Sequence, residues 1–184
     1  MPSALERLLV RTVSLLERSG FEYMVIGGFA LPSFGPVRTT VDVDVAVKVD
    51  TAREFESFVT RAAEEKFKPS VASFSNSVCV FLDEKTGLEV EFWLRPDGIE
   101  WDGETLRRRR KVDIGGVKAW VVSPEDFIVS KLARPDRGVQ DEKDVAGVLV
   151  RVGKRLDHRY LNRRARKAGV LPVLEAIRRT VSEE

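Results

Sequence analysis

The chain has 184 residues, of which 43% are hydrophobic and 33% are charged, and its formal net charge at neutral pH is +2. This composition excludes an intrinsically disordered chain, and the lack of long apolar runs argues against membrane helices and a membrane partner. A single cysteine excludes an internal disulfide and a cysteine-based zinc cluster, so we expect a cytoplasmic protein.

The charge is unevenly distributed. Residues 151–184 contain ten Lys or Arg against four Asp or Glu. A basic tail can bind nucleic acid or a protein partner, and it can equally be the solvated face of a helix. The chain also has only two Asn, two Met and one Gln beside its many charged residues, a profile that indicates a thermophilic source.

Two elements are predicted at the start of the chain. Residues 2–21 have the spacing of an amphipathic helix, with Ser3 as the N-cap and Glu6 completing a capping box. Gly20 suits the C-terminal stop of this helix. The apolar run 23–26 predicts a short buried strand that leads into a Gly-Gly pair.

The middle of the chain predicts strands around one helix. Residues 41–49, VDVDVAVKV, alternate with period two and therefore predict a strand. A helix is predicted over 51–67, with Asp50 as its cap. Two further strands are predicted over 77–82 and 88–94, joined by a hairpin-type turn.

The C-terminal part is predicted to be mostly helical. A short helix over 103–111 and a two-stranded hairpin over 112–122 come first. Ser123 can cap the helix that follows, over 123–134. The remaining segments with helical spacing cover residues 141–153, 157–168 and 172–182.

This order of elements indicates an α/β (α+β) fold. No linker or repeat interrupts the chain, so we predict a single domain over 1–184, with a core of about 1–123 and a helical C-terminal part of about 124–184. Trp93 and Cys79 both lie in strand-like apolar surroundings, and we expect both to be core residues.

Two aspartates in the predicted strand 41–49 require a reason. Asp42 and Asp44 lie on one face of it, about 6.5–7 Å apart along the strand, where two ionised carboxylates repel each other. A divalent cation reverses the repulsion, and hard oxygen ligands of this kind select Mg²⁺ or Mn²⁺. The pattern predicts a metal site; the alternative is an ordinary strand with its aspartates facing solvent.

A Gly-Gly turn precedes these aspartates. Without side chains at Gly27 and Gly28, a phosphate can approach the backbone and accept hydrogen bonds from its N–H groups. Arg38 lies between the glycines and the aspartates and can add positive charge. Together these residues predict a nucleoside triphosphate held between glycine amides and a metal ion.

The segment IGGFALPSFGPVRTTVDVDVAV, residues 26–47, resembles the signature of the DNA polymerase β-like nucleotidyltransferase superfamily. Its Gly-Gly-x-Ala and Arg-x-Thr elements are similar to those of the minimal nucleotidyltransferases and the AbiEii-type toxin branch. Residues 121–149 resemble the helical segment of that branch, in which a lysine precedes an aspartate-bearing helix start. The resemblance covers roughly residues 20–150.

The resemblance implies a mixed β-sheet flanked by helices, with Asp42 and Asp44 as metal ligands. It also implies a third acid, which matches Glu91 or Glu89. Both lie on one strand face, so parity cannot choose; we favour Glu91. The branch's triphosphate-contacting lysine matches Lys131, and its helical acid matches Asp141.

The implied activity is Mg²⁺-dependent transfer of a nucleoside monophosphate from a nucleoside triphosphate onto a hydroxyl of protein, RNA or a small molecule. The branch also implies an antitoxin-type partner. Phe29 replaces the Ser or Thr of many members, and the third acid is Glu rather than Asp. These departures leave an alternative open, a catalytically lapsed nucleotide-binding or partner-binding module. A DxD glycosyltransferase is a third interpretation.

Overall fold

In the computed structural model, residues 1–183 are described. They form two compact units. The first unit consists of residues 1–29, 39–96 and 110–121, and the second consists of residues 30–38, 97–109 and those from Val122 onward. The single-domain organisation stays a prediction.

The first unit contains a seven-stranded mixed sheet. The strands in chain order are β1 (Tyr23–Val25), β2 (Asp44–Val47), β3 (Phe67–Val71), β4 (Val78–Asp83), β5 (Leu88–Trp93), β6 (Arg110–Ile114) and β7 (Val117–Val121). Their order across the sheet is β3-β4-β5-β2-β1-β7-β6. The predicted mixed sheet flanked by helices is therefore confirmed.

Two pairs of strands in this sheet are parallel. Strand β2 runs parallel to β5, and β1 runs parallel to β7. The other neighbours, including β1 and β2, are antiparallel. Strand β2 therefore lies between β1, the strand before it in the chain, and β5, which is distant in sequence, and this brings the predicted aspartates beside β5.

The helices in chain order are α1 (Ala4–Ser19), α2 (Gly27–Ala30), α3 (Ala52–Glu64), α4 (Gly103–Arg108), α5 (Pro124–Ala133), α6 (Val139–Val152), α7 (His158–Lys167) and α8 (Leu171–Glu183). Two 3₁₀ helices follow α2 and α6, at Leu31–Phe34 and Gly153–Arg155. None of the helices in the described part of the chain is long and apolar enough to cross a membrane.

The local signals at the first helix are confirmed. Ser3 and Glu6 form a reciprocal capping box at the start of α1, and Gly20 ends it with a left-handed φ of 73°. The prediction for α3 was wrong in one residue. Thr51, not Asp50, is the N-cap and forms a capping box with Glu54, while the Asp50 carboxylate pairs with Lys48.

Strand β2 is shorter than the predicted 41–49. It begins at Asp44, so Asp42 precedes the strand, and Val41 is 80% exposed. The reason is the length of its partner: the antiparallel ladder joins only Tyr23–Val25 to residues 45–47. The single ladder contact before β2 is the bond from Glu91 N–H to the Val43 carbonyl, at 3.0 Å.

Strand β3 and the start of strand β6 differ from the predictions. Strand β3 was not predicted, because it carries Pro69 and exposes four of its five residues. It is tolerated as the edge strand, where one missing N–H donor costs little. Strand β6 begins at Arg110, inside the predicted helix 103–111, because Arg109 adopts an extended conformation that ends α4.

Aromatic packing forms the core of the first unit. The Phe58 ring of α3 contacts the Phe92 ring of β5, with centroids 4.9 Å apart, and Phe81 packs against both. Cys79 is fully buried, as predicted. In the second unit, Phe34 packs against Phe127. The sheet face opposite the Phe81 and Phe92 side chains carries the acids that were predicted for the site.

Candidate active site

Two of the predicted acids lie side by side. Asp44 of β2 and Glu91 of β5 are register partners in the parallel pair. Register partners project from the same face of a sheet, so the two carboxylates are neighbours. Both side chains are half-buried, whereas Asp42, just before β2, is exposed.

The surroundings of Glu91 raise the pKa of its carboxyl group. Burial and the negative charge of Asp44, with a hydrogen bond between the two carboxyl groups, raise the pKa of Glu91 to about 7. The charge of Asp42 raises it further, and a hydrogen bond from Trp93 acts in the opposite direction. The three carboxyl groups therefore interact electrostatically, and ionising Glu91 while Asp42 and Asp44 are both charged is strongly unfavourable.

Trp93 contributes to the site, although it was predicted as a core residue. Its side chain is only half-buried, and its indole Nε1–H donates a hydrogen bond of 3.3 Å to Asp44 Oδ1. Trp93 lies two residues after Glu91 on the same strand face. The sequence shows that Trp93 and Glu91 share a strand face. Only the strand register shows that this face lies beside Asp44.

The glycine pair gives the site close backbone packing. Gly27 has a φ of +62°, and a Cβ on it would lie 2.1 Å from Asp44 Oδ2. A Cβ on Gly28 would lie 2.4 Å from Thr40 Oγ1. The space beside these glycines is therefore occupied by residues of the site itself, and Ile26 N–H donates to the Asp44 carbonyl at 3.0 Å. Phosphate binding by Gly27 and Gly28 stays a prediction.

The register distinguishes the two candidate third acids. Glu91 pairs with Asp44, whereas Glu89 is exposed and lies two residues farther along β5. Glu89 pairs in register with Leu82 of β4, on the far side of β5 from β2. The geometry favours Glu91 as the partner of the aspartates, in agreement with the preference from the sequence. Glu89 does not belong to the acid pair.

The acids suit a hard cation. Carboxylate oxygens are the ligands that Mg²⁺ and Mn²⁺ prefer. A cation would relieve the repulsion by Asp44, which adds to burial in raising the pKa of Glu91. Within residues 1–183, no group of three His, Cys, Asp or Glu side chains is arranged to hold a metal ion by itself. Asp42, Asp44 and Glu91 are therefore not preassembled as a three-carboxylate site in the described chain, and metal binding by all three stays a prediction.

Lys131 and Asp141, the two predicted residues from the helical segment, are brought together within the second unit. Lys131 Nζ donates to Asp141 Oδ1 at 3.0 Å and lies 3.4 Å from Asp144 Oδ2. Burial would raise the pKa of Asp141, but the Gly138 N–H and Lys131 outweigh it and lower that pKa. The Lys131 side chain is only 8% exposed, so this is a buried ion-pair cluster.

Arg38 belongs to the same cluster. Its guanidinium forms a two-point interaction with Asp144, with Nε 3.0 Å from Oδ1 and NH2 3.2 Å from Oδ2. Asp144 therefore bridges Arg38 and Lys131, and Gln140 donates to it at 2.9 Å. Asp144 was not predicted as a site residue; its position three residues after Asp141, on the same helix face, was the available signal.

The basic run 107–111 is partly paired. Arg108 lies 2.6 Å from Asp157 and stacks over Tyr160, and Lys111 lies 3.2 Å from Glu17. Packing and ion pairing within the protein therefore account for Arg108 and Lys111 of this run. They give no indication of nucleic-acid binding.

A Gly-Gly pair after the first strand of a mixed sheet, with acids on β2 and on the parallel strand β5 beside it, is the arrangement expected from the resemblance to nucleotidyltransferases of the DNA polymerase β type. Residues 5–175 match the protein family described as "Nucleotidyl transferase of unknown function (DUF2204)", and the chain belongs to that family. The enzyme class predicted from the sequence is thereby confirmed, and the glycosyltransferase interpretation was wrong. A comparison with curated protein sequences gives no significant match.

Solved structures with the same fold include an antigenic nucleotidyltransferase-like protein from Paracoccidioides brasiliensis, at 22% identity and a TM-score of 0.55, over 79% of this chain and 75% of that chain. The lincosamide antibiotic adenylyltransferase LnuA, in a lincomycin-bound structure, has 14% identity and a TM-score of 0.55, over 78% and 95%. The antibiotic-resistance factor ANT(2'')-Ia has 14% identity and a TM-score of 0.59, over 100% and 97%. At these identities the likeness concerns the fold alone.

Proposed function

We propose that this nucleotidyltransferase moves a nucleoside monophosphate from a nucleoside triphosphate onto an acceptor hydroxyl, with Mg²⁺ or Mn²⁺ as its cofactor. One observation carries the proposal: the Asp44 and Glu91 carboxylates are register neighbours on parallel strands, where burial and the charge of Asp44 together raise the pKa of Glu91 to about 7. A protein gains no stability from such an arrangement, so the acids need a functional reason.

In this proposal Asp42, Asp44 and Glu91 would hold the metal. Bound Mg²⁺ would neutralise charge on the triphosphate and lower the pKa of the attacking hydroxyl. Trp93 orients Asp44 by its hydrogen bond to Oδ1, and the closely packed Gly27 backbone fixes the carboxylate from the other side. Glu91 would accept the proton of the hydroxyl.

The residues of the second unit have a less direct role in the proposal. Lys131 would contact the triphosphate, while Asp141, Asp144 and Arg38 hold its position through the ion pairs described above. LnuA is named as an antibiotic adenylyltransferase, which makes ATP a reasonable first donor to test. An antitoxin-type partner stays a prediction, and the genes beside this one would test it.

The experiment measures thermal stability and pyrophosphate release with each of the four nucleoside triphosphates. A ligand that binds only the native state stabilises it by about 2.7 kcal/mol at a hundredfold excess over Kd. We expect stabilisation only when Mg²⁺ or Mn²⁺ is present. The double variant Asp42→Asn/Asp44→Asn should lose the metal-dependent part of this stabilisation and the pyrophosphate release.

The matched control is Glu56→Gln/Glu84→Gln, which removes two negative charges from exposed positions of the same unit. It should behave as the wild type. Metal-dependent stabilisation that persists in the aspartate double variant would show that the nucleotide binds elsewhere. Binding without transfer from any of the four triphosphates, in the wild type, would favour the lapsed module.

A further inference from the structure

A groove of about 520 Å³ opens beside the acids of the first unit. Its polar lining includes Asp42, Glu91 and Glu89, and Leu82 and Leu88 are among its aliphatic side chains. Cavities of roughly 300–1,000 Å³ are typical of small-molecule sites. The groove thus joins the proposed catalytic acids to a surface on which a compact ligand could lie.

The strand register explains why the groove has an apolar side and an acidic side. Val80 and Leu82 of β4 are the register partners of Glu91 and Glu89 of β5, so the four side chains project from one face of the sheet. The aliphatic pair follows one strand and the acidic pair follows the other. A ligand that lies along the strands contacts hydrocarbon on one side and carboxylates on the other.

Glu89 is the acid that the metal site proposed above does not use. It is exposed, and within residues 1–183 its carboxylate has no hydrogen-bond or ion-pair partner. It lies two residues from Glu91, which is about 6.5–7 Å along a strand. No Lys or Arg of the described chain lines the groove. The groove therefore carries the uncompensated negative charge of Glu89 at a fixed distance from Glu91, the proposed catalytic acid.

We propose that this groove binds the acceptor, and that the acceptor is a compact cationic alcohol. The proposal rests on the function proposed above. The hydroxyl lies at the Glu91 end, the hydrocarbon skeleton lies against Val80 and Leu82, and an ammonium group lies near Glu89. The hydroxyl oxygen forms a bond to the α-phosphorus, the bond from that phosphorus to the bridging oxygen breaks, pyrophosphate leaves, and the hydroxyl proton passes to Glu91.

An RNA acceptor is disfavoured by the same charges. A nucleic-acid strand in the groove would bring phosphates against Glu89, which lies beyond the acids that a metal would neutralise. Such a strand needs Lys or Arg along its path to release counterions, and the groove lining described here contains neither. A cationic ligand, in contrast, gains from the charge of Glu89.

The test uses three probes of one shape: trans-4-aminocyclohexanol, cyclohexanol and trans-4-hydroxycyclohexanecarboxylate. Each is titrated into the full chain with Mg²⁺ present, and Kd is followed through the Leu82 and Leu88 methyl signals in NMR spectra. We expect the amine to bind about two- to fivefold more tightly than the neutral alcohol, the range of an exposed ion pair. The carboxylate should bind most weakly.

Glu89→Gln should remove the preference for the amine without changing the Kd of cyclohexanol. Glu84→Gln, an exposed acid in the turn after β4, should keep the preference. Transfer from labelled ATP onto the amine would support the proposal. The same charge order without transfer would support the groove while contradicting the proposed activity.

Two results would overturn the inference. One is an affinity order that is the same in Glu89→Gln as in the wild type, since the charge would then have no part in binding. The other is a short single-stranded RNA that shifts the Leu82 and Leu88 methyl signals and binds more tightly than the amine, because the groove would then belong to a polyanion.

Discussion

Asp44 and Glu91 are direct neighbours across the parallel pair of β2 and β5, and their carboxyl groups are hydrogen-bonded to each other. Two carboxylates in this position can hydrogen-bond only while a proton lies between them. The metal-free protein therefore stores electrostatic repulsion at this pair whenever both groups are ionised. A bound cation would remove this repulsion. The pair therefore lowers the stability of the metal-free protein and strengthens metal binding, as is common at functional sites.

The raised pKa of Glu91, caused first by burial and then by the charge of Asp44, predicts a pH-dependent effect of Glu91→Gln in metal-free protein. The pKa of Glu91 is raised from 4.5 to about 7, so the folded state keeps a proton that the unfolded chain releases. The stabilising contribution is complete below pH 4.5 and is lost as the pH rises through 7. At pH 8 the loss is at most about 3 kcal/mol, less solvent screening of the half-buried group.

Glu91→Gln should therefore raise the free energy of unfolding at pH 8 and change it little at pH 5. Urea denaturation with EDTA at both pH values measures the difference. Glu84→Gln removes an exposed acid and should change stability by the same small amount at both. Equal effects of Glu91→Gln at pH 5 and pH 8 would contradict the raised pKa of Glu91.

Gly27→Ala should disable the site by displacing Asp44. The left-handed φ of +62° costs an alanine roughly 1–2 kcal/mol, and the new Cβ would lie 2.1 Å from Asp44 Oδ2. Gly20→Ala is the matched control, because Gly20 has a φ of +73° and no atom within 4 Å of the added Cβ. Both variants should lose stability, but only Gly27→Ala should also lose metal-dependent stabilisation by nucleotide, measured by thermal denaturation. Equal nucleotide effects in the two variants would contradict this.

Local sequence signals predicted much of the fold and part of the site. The capping box of Ser3 and Glu6 and the left-handed Gly20 specify α1 through contacts within the helix, so they can be recognised in one segment. The period-two pattern around Asp44 likewise indicated a strand with its acid on one face. These features depend on neighbours along the chain.

The remaining features depend on register between distant segments. Glu89 and Glu91 have the same parity, and only the alignment of β5 with β2 shows that Glu91 faces Asp44. The same alignment places Trp93 Nε1 within reach of Asp44, although its apolar surroundings predicted a core residue. Strand β3 has no alternating pattern of its own, because its pairing with β4 and its edge position determine it.

Trp93→Phe should weaken metal binding without removing a ligand. Phenylalanine keeps an aromatic ring but cannot donate the 3.3 Å hydrogen bond to Asp44 Oδ1. Loss of an outer-shell hydrogen bond typically costs 10–100-fold in metal affinity, and the length of this bond places our expectation at about tenfold. Electron paramagnetic resonance of Mn²⁺ with ATP present measures it. Trp120→Phe, in β7, should leave the affinity unchanged; a loss of the same size there would indicate a general packing effect.

Lys131 is expected to have two separable roles. Its ammonium group lies between Asp141 and Asp144 with 8% of the side chain exposed, and removing one partner of a buried ion pair typically costs about 3–5 kcal/mol. Lys131→Met should therefore lower the free energy of unfolding by about 3 kcal/mol. Adding Asp141→Asn should restore part of it, because asparagine removes the unpaired charge and can still accept the Gly138 N–H bond that caps α6.

Nucleotide affinity separates the structural role of Lys131 from the role that the family resemblance implies. If Lys131 contacts the triphosphate, the Kd of ATP with Mg²⁺ should rise about tenfold in Lys131→Met, the loss of one charge-assisted hydrogen bond. It should stay raised in Lys131→Met/Asp141→Asn even though stability recovers, because the second change restores no positive charge. Calorimetric titration of the two variants and of Asp141→Asn alone measures this. A Kd that returns to the wild-type value together with stability would show that Lys131 only holds the acids of α6 in place.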